Sequence, residues 1–181
     1  MAPASVSLAG RLLVSHPSLR DENFRETVVL IHSHSLSEGA MGVIINRPMP
    51  GTLADASPPL AGSPLGAVAL HQGGPVAADR FALGSWSWSS GASADLRYGL
   101  EREVAEALLA AGTHVIRAYV GYSGWSPGQL EDELRLDAWV VCPFTAEVAA
   151  AEGEAMWRLL LRTHAPELLL QAGAPDDPGL N

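Results

Sequence analysis

Apolar positions fall along the chain in short runs, and their spacing predicts more strands than helices. Arg11 to Ser15 (Arg-Leu-Leu-Val-Ser) reads as a first strand. Thr27 to His34 is a β-branched run closed by a serine-rich turn at Ser35 to Glu38, and Gly39 to Asn46 is a second run that hairpins with it. Pro48 should stop that strand, because proline donates nothing to a ladder. Gly51 to Gly66 is rich in proline and glycine and reads as a loop with one helical turn near Leu53. Ala67 to His71 is a strand that ends in the turn Gln72-Gly73-Gly74-Pro75. Arg80 to Leu83 is another. Ser85 to Ser89 alternates, which puts Trp86 and Trp88 on one face. Strands are further expected over Ala94 to Leu100, Val115 to Gly121 and Leu136 to Cys142.

Helical spacing is clearest over Glu101 to Ala111, where Val104, Leu108 and Ala111 share a face and Gly112 follows. A last helix covers Gly153 to His164, with Met156, Leu159, Leu160 and Thr163 inward and Pro166 at its end. Strands outnumber helices and do not alternate with them regularly, so the class is α+β. No linker divides the chain. Residues 1–170 are read as one domain and 171–181, rich in Pro, Gly and Asp, as a flexible tail.

Composition narrows the chemistry. The chain has 181 residues, 48% hydrophobic and 17% charged, enough to build one proper core. All 11 basic residues are arginine. Without lysine there is no P-loop, no pyridoxal Schiff base and no kinase strand lysine. No two glycines are spaced as the dinucleotide fingerprint requires. The single cysteine, Cys142, excludes intramolecular disulfides and multi-cysteine zinc sites, and between Val141 and Pro143 it reads as a buried structural thiol. A net charge of −9 repels phosphate backbones, so direct nucleic-acid contact is not expected. No run approaches a membrane span and no signal peptide is evident, so a cytoplasmic protein is expected.

Three segments are candidates for function. Gly121-Tyr-Ser-Gly-Trp-Ser-Pro-Gly-Gln-Leu-Glu-Asp-Glu-Leu134 reads as strand, tight turn and helix, with Ser126 and Gln129 as a capping box and Pro127 at the first helical position. Ser123 near such a turn suggests a nucleophile elbow, but the glycine that motif needs is Trp125 here. His71-Gln-Gly-Gly-Pro75 is a turn whose glycines admit a close backbone or ligand. His32 and His34 are two apart and project from one face of a strand; with His71 or His16 approaching from a neighbouring strand and Glu38 as a carboxylate ligand, they form a candidate metal set. The bland alternatives are a tight connection and a polar strand face.

Gly10-Arg-Leu-Leu-Val-Ser-His-Pro17, Phe24-Arg-Glu-Thr-Val-Val-Leu-Ile31, Gly39-Ala-Met-Gly-Val-Ile-Ile-Asn-Arg-Pro48, Gly73-Gly-Pro-Val76 and Gly121-Tyr-Ser-Gly-Trp-Ser-Pro-Gly-Gln-Leu-Glu131, with Trp139 and Trp157, together resemble the YqgE/AlgH family of bacterial proteins. The resemblance covers roughly residues 8–165. It implies one α+β domain of bent, partly split mixed sheets with flanking helices, and no established catalytic residues. Some members carry the label of transcriptional regulator, which for so acidic a chain implies an indirect role. The expectation is therefore a non-enzymatic binding or regulatory protein without a cofactor, acting on a protein or small-molecule partner. Its surface would be Gly73, Gly74, Pro75, Tyr122, Ser123, Gly124 and Trp125. The alternative is a metal-dependent hydrolase using His32, His34 and His71.

Overall fold

The computed structural model describes residues 7–88 and 94–172. Strands β1 (Arg11–Ser15), β2 (Val28–Ser35) and β3 (Gly39–Ile44) form where the apolar runs lie. These runs are continuous rather than alternating because both faces of the sheet are covered. Leu12, Val14, Val28, Leu30, Val43 and Ile45 point into one core, and Leu13, Val29, Ile31 and Ile44 into another.

Pro48 does not end the sheet. It opens β4 (Pro48–Thr52), an edge strand paired with β5 (Ala69–Gln72), a position where a missing N–H costs nothing. Between them lie α1 (Leu53–Ala56) and two 3-10 turns. The two expected strands between Arg80 and Ser89 are one long strand, β6 (Val76–Trp88), hairpinned with β7 (Ala94–Tyr98).

Helix α2 (Arg102–Ala111) ends on Gly112 at φ 65° as expected, but it buries Ala105 and leaves Val104 exposed. Strand β8 (Val115–Trp125) continues through Gly121, so the strand-ending turn expected there does not exist. Accordingly α3 (Gln129–Arg135) begins after Gly128, and Pro127 lies outside it. Only half of the capping box forms, with the Ser126 N–H donating to Gln129 Oε1. Strand β9 (Trp139–Pro143) follows, then α4 (Ala146–Ala149) and α5 (Gly153–His164). The inward face of α5 is Met156, Trp157, Leu160 and Leu161. Pro166 ends α5 and also starts α6 (Pro166–Ala172), so the first residues assigned to the tail are helical; residues 173–181 lie outside the described part.

The nine strands run β4-β5-β8-β3-β2-β1-β9, with β6 and β7 joined through β8. Among the described strands, only β5 and β8 pair in parallel. Strand β8 joins the two parts of the partly split sheet that the family resemblance implies. Its first half lies between β5 and β6, and its last three residues pair with β3. One core lies under α5 and the β6–β7 ribbon, a second under α3 and Phe24, and a third between α2 and the half-sheet of β5, β6 and β8.

Candidate functional site

The feature that organises the site is a crossing. Strands β5 and β6 both pair with Val120, so they occupy opposite sides of β8, yet only Gly73, Gly74 and Pro75 join them. The link therefore passes across β8 at Gly121 and Tyr122. A Cβ on Gly73 would strike the Gly121 carbonyl oxygen, and one on Gly121 would strike that of Gly74. The Gly73 N–H donates to Val120 O at 2.8 Å, and its carbonyl accepts from the Ile44 N–H at 2.8 Å and from Ser123 Oγ at 3.2 Å. Ser123 is thus a fully buried pin inside a strand, not the tip of an elbow, and no histidine among the described residues bonds to it.

Trp125 is core. It is 6% exposed, packs edge-on against Trp139 with ring centres 6.0 Å apart, and touches Phe24. The indole N–H groups of Trp125 and Trp139 both donate to Glu133 Oε2 at 2.8 Å, while Gln129 Nε2 donates to Oε1 at 3.0 Å. This explains why the acidic stretch 131–133 does not face solvent as a unit. Glu133 holds two tryptophans, and Glu131 holds a histidine.

The candidate metal set does not converge. Both ring nitrogens of His34 are engaged: Nδ1 accepts from the Leu8 N–H at 3.1 Å, so Nε2 carries the proton that goes to Glu131 Oε1 at 2.7 Å. His32 packs against Tyr98 with ring centres 4.9 Å apart, and burial pushes its pKa down to about 4. His71 is 2% exposed beside Tyr119. Burial first, and the Arg117 charge second, push its pKa down to about 4 as well. Among the described residues, no three His, Cys, Asp or Glu side chains are placed to share an ion. Cys142 is buried, and burial pushes its thiol up to about 11, well away from reactivity.

What the crossing leaves open is a groove of about 710 Å³. Gly124 and Met41 are cross-strand neighbours on β8 and β3 and form its floor. Val76, Tyr98 and Tyr122 wall it, with Glu38, Ser126 and Pro127 at the end where β8 leaves the sheet. Beyond the two tyrosines a smaller hollow of about 250 Å³ continues past Phe81 to Arg80. The Tyr98 hydroxyl is held above its ordinary pKa, by burial and then by Tyr122, so it stays a neutral donor. Of the seven residues expected at the surface, Tyr122, Gly124 and Trp125 line this groove, while Gly73, Gly74 and Ser123 are buried in the crossing and Pro75 is exposed beside it. Sequence reasoning missed Met41, Tyr98 and Arg80. Met41 was findable from strand alternation opposite Gly124; the other two arrive through pairings that no local pattern reveals.

Asn46 and Arg47 have structural work nearby. Asn46 accepts from the Val28 N–H and donates to the Glu26 and Gly153 carbonyls. Arg47 donates to the carbonyls of Asn23, Glu22 and Arg25, tying down the loop before β2.

Among the described residues no helix is long and apolar enough to cross a membrane. A UPF0301 protein of Streptomyces avermitilis is 43% identical over 97% of this chain and 96% of its own length. A second UPF0301 protein, from Chlorobium phaeobacteroides, is 35% identical over 96% of this chain and 95% of its own. The solution structure of the AlgH protein from Pseudomonas aeruginosa superposes with a TM-score of 0.65 at 28% identity, covering 98% of this chain and 100% of that one. A crystal structure of a Corynebacterium diphtheriae protein gives a TM-score of 0.71 at 22% identity, with 92% of each chain covered, and shares the fold. The AlgH-like family model matches residues 12–168, and the chain belongs to that family.

Proposed function

We propose that this is a non-enzymatic binding protein whose site is the groove walled by Val76, Tyr98 and Tyr122. The carrying observation is that three distant strands converge on an open apolar trough whose floor is an exposed glycine. Half-buried tyrosines beside an accessible backbone suit recognition: each offers a broad apolar face and one hydroxyl. The groups that would supply catalysis are committed elsewhere. Ser123 bonds to a carbonyl, His34 to Glu131, and His71 sits in the core. A regulatory role through a protein partner fits this reading better than contact with DNA, because the net charge is −9 and the groove carries no cluster of arginines. A cytoplasmic setting, with the single thiol buried and unpaired, belongs to the same proposal.

The test is capture from the host's own lysate on tagged wild-type protein and on Tyr122→Ala, with bound proteins and small molecules identified by mass spectrometry. The expected result is a stoichiometric component retained by the wild type and lost by the variant. Equal retention by both overturns the assignment of the groove.

A further inference from the structure

We propose that the groove takes an extended peptide segment of a partner protein, laid beside β8 over the exposed Gly124, with a basic side chain toward Glu38, an apolar one between Tyr98 and Tyr122, and an acidic group toward Arg80. This rests on the groove being the binding site, and it specifies the occupant.

The first support is the strand edge. β3 follows β5 on one side of β8, because the end of β5 is bonded to it: the Gln72 N–H donates to Arg47 O, and the Ile44 N–H donates to Gly73 O. On the other side β6 pairs with β8 only as far as Val76 opposite Tyr122. Beyond Tyr122 no described strand pairs with that side of β8, and its backbone is exposed there at Gly124, between the buried Ser123 and Trp125. An unpaired edge is a template for one more strand, and edges without such a role are normally covered or blunted. A segment added here prolongs the line of β6 and runs antiparallel to β8. The Gly124 backbone then offers main-chain bonding, and alternate side chains of the segment supply specificity.

The second support is the distribution of charge. The large compartment has Glu38 at its end and the smaller hollow has Arg80, with the two tyrosines between them. Both residues are exposed, and neither side chain makes an ion pair with a described residue. Antiparallel addition directs the segment's N-terminal end toward Ser126 and Glu38 and its C-terminal end toward Val76 and Arg80. A trough open along its length, charged oppositely at its two ends, suits a linear chain better than a compact ligand, which needs enclosure on most sides.

Fluorescein-labelled peptides built as lysine, threonine spacer, phenylalanine, threonine spacer and aspartate, with spacers of one to three threonines, are titrated against the full chain by anisotropy. At least one should bind. Glu38→Lys should weaken it by about tenfold, the scale of turning one exposed attraction into a repulsion. Replacing the peptide's lysine by glutamate should restore the loss. Arg80→Glu should behave in mirror image at the aspartate, and it remains informative if Tyr122→Ala lowers the melting temperature. If no peptide binds while the wild type retains a small molecule that Tyr122→Ala loses, the peptide inference fails and the groove stands. Sedimentation showing a dimer that Tyr122→Ala abolishes assigns the groove to a second copy and also overturns it. Binding indifferent to both charge reversals overturns the proposed polarity.

Discussion

Gly121→Ala tests the crossing directly, and Gly99→Ala is its matched control. The two glycines have φ of 70° and 71°, so both substitutions carry the same left-handed backbone penalty, about 1–2 kcal/mol. They differ only in space. A Cβ on Gly99 meets nothing within 4 Å, whereas one on Gly121 runs into the carbonyl oxygens of Gly74 and Val76. Those are backbone atoms, so relief requires the link to lift off β8. Lifting it removes the bonds from the Gly73 N–H to Val120, from the Ile44 N–H to Gly73, and from Ser123 Oγ to Gly73. At about 1 kcal/mol for each bond, the excess over the control is about 3 kcal/mol. In urea, at a slope of about 2 kcal/mol/M, the Gly121→Ala midpoint should fall about 1.5 M below that of Gly99→Ala. Equal midpoints for the two variants would refute the crossing as the reason for the glycine.

Two further outcomes are expected. Trp125→Ala should cost about 3–5 kcal/mol, because it empties a buried indole site and strands one side of Glu133; a melting temperature near the wild-type value in a thermal scan would show the indole is not core. Stability should also fall with acid through the histidines. His71 has a folded pKa of about 4 against 6.5 when unfolded, so the unfolded chain binds the extra proton between those values, and stability present above pH 6.5 is lost as pH falls toward 4. Between pH 7 and pH 5 this one group accounts for about 2 kcal/mol, and His71→Leu should flatten the denaturation profile over that interval, while an unchanged slope would exclude His71 as its source.

The strands β1, β2 and β3 and the helices α2 and α5 were legible because burial writes itself into local pattern: runs of β-branched residues where both sheet faces are covered, and helical spacing where one face is. Composition alone excluded whole classes of chemistry, since a residue type that is absent cannot be supplied by folding. The same local reading misplaced the end of β8. Gly121 looked like a turn, but its missing Cβ serves a chain that crosses it from 48 residues away in sequence, Gly73 to Gly121. It also put Trp125 on the surface, because nothing near it in sequence announces Trp139 and Phe24 as its neighbours. The histidines paired by strand alternation were separated by their partners, Glu131 for His34 and Tyr98 for His32. The groove belongs wholly to tertiary structure. Its walls come from β6, β7 and β8, and whether a strand edge is open or paired is decided by which strands arrive beside it, a matter of long-range pairing on which local propensity is silent.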